Sequence, residues 1–262
     1  MPSVVTRDGN DALKVFAHGS FANIALLVQL ADCLHTAGVP VPKTRRDESS
    51  TGIRLPWIEG QTMSERIKCV GNLLLARDDI GCAMGVLRQL HESSAPNLNL
   101  TEFNPFRVTD RRMSEPVFQT LPISICNQAR LLRAKLENNP PRHKGENIIH
   151  GDFHAGQLIL EAAVGKWWVI DLDDVSHGHG EADIANFCVN LATSKNQTSA
   201  GIIQDFEAIA TQCRHAYAKV MRRELLDHYA ACALLRRAVK FAARGDHKDR
   251  IAAVLDTCSL LT

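Results

Sequence analysis

The stretch Ile148 to Asp174, IIHGDFHAGQLILEAAVGKWWVIDLDD, constrains the fold more than any other part of the chain. An apolar start leads into a polar cluster of His150, Asp152, His154 and Gln157, and then into the apolar run Leu158 to Leu160. A turn at Gly165 follows, and Trp168 to Ile170 run straight into Asp171, Asp173 and Asp174. Apolar runs of this length, punctuated by glycine, predict a short strand, a tight loop and two further strands forming a hairpin. The polar residues then gather at strand ends, where acidic groups from two separate loops meet. Like charges at close quarters are unfavourable, so the arrangement suits a metal site, or a base beside one, better than filler.

His150-Gly151-Asp152, then Gln157, then Ile170-Asp171 about twenty residues after the histidine, resembles the paired catalytic motifs of the kinase-like phosphotransferases. These are the aminoglycoside and choline kinase branch of the protein-kinase fold. Gly180 to Phe187, GEADIANF, is similar to the helix opening that follows in many members. The resemblance implies an α+β, protein-kinase-like two-lobed fold. A small β-containing N-terminal lobe would span residues 1–60, and a mainly helical lobe with the catalytic hairpin and acceptor site residues 61–262. It implies ATP and magnesium as cofactors and a small-molecule hydroxyl as phosphoryl acceptor. Asp152 takes the part of the base or hydroxyl-orienting residue. Gln157, where the family usually has Asn, and Asp171 take the part of the metal ligands. His150, Asp173 and Asp183 are expected in support, Asp183 either as a hydrogen-bonded anchor of the catalytic loop or as a plain carboxylate at a helix start.

The chemistry agrees with these residue types. Phosphoryl transfer needs an in-line hydroxyl, a divalent cation and neutralised phosphate oxygens rather than much covalent work by the protein. Magnesium prefers oxygen ligands and keeps several waters, so one carboxylate, one amide oxygen and the phosphates are sufficient. Gln157 offers the same amide oxygen as Asn on an arm one methylene longer. His154 is either a donor to a neighbouring carboxylate or packed behind the loop. Asp174 is as suited to capping or pairing as to the site, and His177 and His179 flank glycines without a third convergent ligand for zinc.

Upstream, Val4 to Thr6, the turn Asp8-Gly9-Asn10, and Ala12 to Phe16 read as a β-hairpin. In the resemblance, Ala12-Leu13-Lys14-Val15-Phe16 matches the strand whose Lys14 reaches the nucleotide phosphates. Leu55 to Gly60 resembles the hinge between lobes, with backbone groups near Trp57, Ile58 and Glu59 meeting the adenine edge. Two departures stand out. Little chain precedes Val4, so the first lobe reads as shortened, and Arg7-Asp8-Gly9-Asn10 is the nearby candidate for a phosphate-covering turn. The helix expected over Phe21 to Ala37 offers Asn23, Gln29 and Asp32 but no glutamate to pair with Lys14. Lys14 is then held by another acid, by the nucleotide alone, or less rigidly. These departures, with Gln157, motivate a rival expectation: a catalytically weak or inactive kinase-like protein that binds a nucleotide or another ligand.

The remaining chain reads as connectors and helices. Gly38-Val39-Pro40-Val41-Pro42 stops the first helix. Lys43 to Gly52 reads as a solvated turn and Ile53 to Trp57 as a strand. Met63 to Leu75 and Asp79 to His91 carry apolar residues at helical spacing. Ser93 to Thr109, with Phe103 and Phe106, is a surface loop or an acceptor-site lid. Ser114 to Glu137 is mostly helical after Pro122, and Asn138 to Lys144 feeds the central stretch. Ile202 to Val220, Glu224 to Arg244 and Lys248 to Leu260 are helices. Arg236, Arg237, Lys240, Arg244 and Arg250 among them form either a solvated face or an anionic-substrate site, the first being preferred.

With 30 basic and 29 acidic side chains, no broad nucleic-acid or membrane footprint is implied. Eight cysteines without a CxxC pair, and no signal-peptide pattern, point to reduced thiols and the cytoplasm. No run of apolar residues is long enough for a membrane span. Acceptor specificity would lie in the helical lobe, with Phe103, Phe106 and Trp167 as candidates. The acidic rim of Asp173 and Asp174 favours a cationic acceptor of the aminoglycoside or amino-alcohol kind.

Overall fold

The computed structural model describes residues 3–16, 21–48, 51–70, 77–95, 98–195 and 197–262. The last part of the Met63 to Leu75 pattern, Ser49 and Ser50 of the polar run, and the Asn23 side chain lie outside the described residues. The chain has the expected α+β, two-lobed, kinase-like architecture, with strands concentrated in one lobe and long helices in the other.

The first hairpin forms as its pattern demands. β1 (Ser3–Asp8) and β2 (Asp11–Phe16) pair antiparallel from Ser3↔Phe16 to Asp8↔Asp11. The two-residue turn between them contains Gly9 at φ +63°, a region glycine enters without a Cβ clash. Period-two alternation buries Ala12, Lys14 and Phe16 on one face. Helix α1 (Phe21–Thr36) ends as Gly38, at φ +84°, turns the chain. The Val39 amide then donates to the Leu34 carbonyl and the Gly38 amide to that of His35, which satisfies the open helix end.

The stretch Lys43 to Gly52, expected as a solvated turn, contains a short strand β3 (Arg45–Arg46) that pairs with β4 (Gly52–Pro56). Its Asp47 is buried because the Arg54 guanidinium on β4 reaches it at 2.5 Å. Together these strands make a four-stranded sheet in the order β1-β2-β4-β3. Phe16, Ile24, Leu27 and Ile53 form the apolar cluster under it, with Leu55 and Leu172 packed against them.

A short strand that the sequence pattern does not announce, β5 (Gly60–Thr62), precedes α2 (Met63–Val70). Thr62 and Glu65 close a reciprocal capping box. The Glu65 carboxylate accepts from the Thr62 amide at 2.8 Å, and the Thr62 hydroxyl accepts from the Glu65 amide at 3.2 Å. α3 (Arg77–Glu92) follows with Ile80, Met84, Leu87 and Leu90 buried. After α4 (Arg107–Met113), α5 (Pro116–Gln119) and α6 (Ile123–Glu137) comes β6 (Asn147–Ile149), which opens the central stretch.

The expected hairpin of that stretch is present. β7 (Leu158–Glu161) pairs antiparallel with β8 (Lys166–Val169) from Leu158↔Val169 to Glu161↔Lys166. β5 joins its other edge, giving the order β5-β7-β8, and β6 pairs with β9 (Ser176–Gly178). Four helices complete the chain: α7 (Gly180–Ala192), α8 (Ser199–Tyr217), α9 (Arg223–Ala243) and α10 (Lys248–Leu260). α7 is buried along almost its whole length, its Glu181, Asp183 and Asn186 included, and it packs on α8 and α9.

The chain divides into two compact units. One holds residues 1–101, 147–150 and 155–177, and the other holds 102–146, 151–154 and 178–262. The first therefore continues past Gly60 and takes in the β7–β8 hairpin. Among the described residues no helix is long and apolar enough to cross a membrane.

The β5–β7 pairing yields a test. A Cβ built on Gly60 would stand 2.0 Å from the Leu160 carbonyl oxygen, and backbone cannot yield as a side-chain tip can. Gly60→Ala is expected to destabilise the fold by about 1–3 kcal/mol, as overpacking does, measured by chemical denaturation.

Candidate functional site

In the first unit, β2, β4, the segment after β4 and the β7–β8 hairpin enclose a cavity of about 510 Å³. Its walls are largely apolar, among them Val5, Ala12, Leu27, Ile53, Ile159 and Val169. Lys14, Gln157, Asp171 and Asp173 also line it, as do Trp57 and Ile58. Of the nine residues expected from the sequence around a nucleotide, its metal or in support of them, these six share this one cavity. His150 and Asp183 do not line it, and neither does Glu59. The Glu59 carboxylate meets Arg7 at 2.6 Å where both are solvated, and Arg7 also lies over the Trp57 ring at 5.0 Å.

The polar groups of the cavity are tied to one another. Lys14 Nζ lies 2.5 Å from Asp171 Oδ1 and 2.7 Å from Asp173 Oδ1. Gln157 Nε2 donates to Asp171 Oδ2 at 2.9 Å, so its amide oxygen Oε1 is the atom it can offer a cation. The buried His150 ring pairs through Nε2 with the Ile170 carbonyl at 2.9 Å, which links the start of the polar cluster to the residue before Asp171. Asp171 itself has φ +65° and ψ +60°, a left-handed conformation uncommon for a residue with a Cβ. Such strain persists where surrounding structure enforces it, often at functional positions.

Electrostatics separate the two carboxylates. Burial acts to raise the pKa of Asp171, but the Lys14 charge and hydrogen bond, helped by His150 and Gln157, outweigh it and hold the group below the usual carboxylate range. Asp173 moves the other way because burial outweighs the pull of Lys14. Burial acts to lower Lys14, and the two carboxylates overcome it and shift the ammonium upward.

In the second unit, Asp152 is held by cations. Arg236 Nη2 lies 3.0 Å from Oδ1 and Lys240 Nζ 3.6 Å from Oδ2, one turn apart on α9. Asn186 Nδ2 reaches Oδ1 at 3.4 Å and donates to the Phe153 carbonyl at 2.7 Å. Arg236 also donates to Asn186 Oδ1 and to the Gly151 carbonyl. Asp183 accepts from the Gly151 amide at 2.9 Å, a hydrogen bond from the first turn of α7 to the loop that carries Asp152.

The basic residues near the C-terminal end correct the sequence reading. Arg236 is buried and Lys240 mostly so, facing Asp152 rather than forming a wholly solvated face. Burial and the charges of Arg250, Arg244 and Arg236 lower Arg237 to about 10. Sequence reasoning placed Arg236 and Lys240 on a solvated face, with an anionic-substrate site as the less favoured alternative, and gave Asn186 no role of its own. The usable signal was the i, i+4 placing of two cations on an apolar helix.

The aromatic candidates for acceptor recognition are already engaged. Phe103 packs on Tyr229 at 6.1 Å, Phe106 lies under Arg133 at 3.8 Å, and Trp167 faces Arg66 at 5.8 Å. Among the described residues no group of three or more His, Cys, Asp or Glu side chains forms a metal site by itself. Asp171 and Gln157 supply hard oxygen donors of the kind magnesium accepts beside nucleotide phosphates.

Comparison with known proteins gives a consistent picture. The family model described as "Phosphotransferase enzyme family" matches residues 4–235. Among solved structures, the chain is similar to a choline/ethanolamine kinase family protein from Mesorhizobium loti, with a TM-score of 0.64 and 20% identity over 100% of this chain and 85% of that one. It is similar to the choline kinase LicA from Streptococcus pneumoniae, with a TM-score of 0.62 and 14% identity over 99% and 88%. A third is the aminoglycoside phosphotransferase APH(3'')-Id from Streptomyces rimosus, solved with ADP and streptomycin, with a TM-score of 0.59 and 16% identity over 87% and 88%. No curated protein sequence matches.

The charge cluster in the cavity predicts a pH signature. Lys14 is raised, so its contribution is complete below about 10.4 and is lost as pH climbs through its folded value. Asp171 is lowered, so its contribution is present above about 3.9 and is lost as pH falls through its folded value. Breaking a fully buried pair costs about 3–5 kcal/mol. The Asp171 side chain is 41% exposed, so about 2 kcal/mol is expected for Lys14→Met at pH 7 after allowing for solvent screening. The loss should shrink as the pH is lowered towards 4 and the carboxylates left behind take up protons, measured by urea denaturation at both values.

Proposed function

Because the chain belongs to the phosphotransferase enzyme family, we propose that it transfers the γ-phosphoryl group of ATP to a hydroxyl of a small molecule. The observation that carries this reading is the cavity of the first unit, where apolar walls suited to a base accompany Lys14, Gln157 and Asp171. The ammonium of Lys14 matches nucleotide phosphates, and the backbone near Trp57 and Ile58 matches the adenine edge. Asp171 and Gln157 Oε1 would hold magnesium, which when bound neutralises phosphate oxygens.

Asp152 receives the acceptor hydroxyl. Its carboxylate accepts the hydroxyl hydrogen bond, which leaves a lone pair of the hydroxyl oxygen for the phosphorus. In a loose transition state positioning counts for more than deprotonation, and the proton passes to Asp152 as the new O–P bond forms. Arg236, Lys240 and Asn186 restrain the carboxylate, and Asp183 restrains the backbone before it. The cations on Asp152 favour a neutral or anionic acceptor over the cationic class suggested by Asp173 and Asp174, because Lys14 already engages Asp173. Such an enzyme would work in the cytoplasm, with ATP at hand and its eight free cysteines kept reduced.

The rival reading is a nucleotide-binding protein without transfer, motivated by Gln157 and the absence of glutamate from α1. Two measurements separate them. ATP with magnesium should raise the melting temperature through preferential binding to the native state. Acceptor-dependent ADP release should appear on a panel of neutral, acidic and basic hydroxyl compounds. Asp152→Ala should lower that release by about 10²–10⁴-fold while keeping the nucleotide-induced stabilisation. A chain stabilised by ATP yet silent on every acceptor would support the binding-protein reading, and a chain that ATP does not stabilise would overturn both.

A further inference from the structure

The cavity holds one buried ammonium and two carboxylates on it, and the two acids differ in how they are built. Asp171 precedes a short 3-10 turn (Leu172–Asp174) in a left-handed conformation, is 41% exposed and also accepts from Gln157. Asp173 lies inside the turn with its side chain 11% exposed. Leu172, between them, packs against the cluster of Phe16, Ile24, Leu27 and Ile53, and the Val175 amide closes the turn on the Leu172 carbonyl at 3.3 Å. The core therefore fixes Asp173 against Lys14 and presents Asp171 to solvent.

The other acids near the cavity are committed elsewhere. Glu65 lines it but is taken up by the Thr62 amide and hydroxyl. α1 has no glutamate, and its Asp32 is exposed. If Asp171 serves a cation, as the proposed function requires, Lys14 loses much of that carboxylate. A buried ammonium without a counter-charge is costly, and it moves or gives up its proton.

We propose that Asp173 is the standing counter-ion of Lys14, a positioning residue that keeps the ammonium in the cavity while Asp171 is engaged with solute. Its functional half rests on the phosphotransferase reading. Its structural half is measurable on the ligand-free protein, so failure of one is distinguishable from failure of the other.

Thermal melting of the protein without ligand comes first. Asp173→Asn should lower the melting temperature by a few degrees in the Asp171→Asn background, where it removes the last carboxylate on Lys14. In a Lys14→Met background it should raise it, because the carboxylate removed there has lost its cation. Equal shifts with and without the Lys14→Met substitution would overturn the pairing. Kinetics with ATP, magnesium and an accepted hydroxyl compound follow. Asp173→Asn should lower kcat at least tenfold with the acceptor KM within twofold, and Asp173→Glu should recover part of the loss. Restoration of Asp173→Asn by excess magnesium would overturn the proposal, since it would make Asp173 a metal ligand instead. So would an unchanged kcat.

Discussion

The strand-rich unit depends on a buried ammonium with two carboxylates. Lys14 sits on the covered face of β2, where alternation would ordinarily place an apolar side chain. Its partners come from residues more than 150 positions later in the chain, beyond the β7–β8 hairpin. The hairpin register, the 3-10 turn after it and the four-stranded sheet must all form before the charge is satisfied. Two acids on one cation leave an excess negative charge, which burial expresses as the upward shift of Asp173.

In the helical unit the order of charges is reversed. One carboxylate, Asp152, faces two cations of α9, and the loop that carries it is pinned through Asp183 and Asn186 on α7. α7 supplies these polar anchors from a surface that is buried along almost its whole length. Rigidity here comes from packing, and the hydrogen bonds use it to direct one side chain.

The parts of the fold that could be read along the chain are those governed by local rules. Gly9 and Gly165 adopt positive φ at the two hairpin turns, and Gly38 does so at a helix end. The long helices carry apolar faces that require burial. β3 and β5 escaped notice because strands of two and three residues leave no alternation to detect, and partners elsewhere in the chain define them. Asp47 looked solvated among charged neighbours, yet Arg54 across a strand pair buries it. Arg236 and Lys240 looked like part of a basic helical face, since composition does not say which turn of α9 meets the loop of Asp152.

By itself the sequence determined the kinase-like identity, through two motifs whose spacing is set by the hairpin between them. It also determined that Lys14 would lack a glutamate from α1. Only the tertiary structure decided which acids meet Lys14, which of them is presented to solvent and which cations hold Asp152. The physical reason is that motif spacing is a local property of the backbone. The pairing of charges depends on which side chains the folded core leaves within hydrogen-bonding distance.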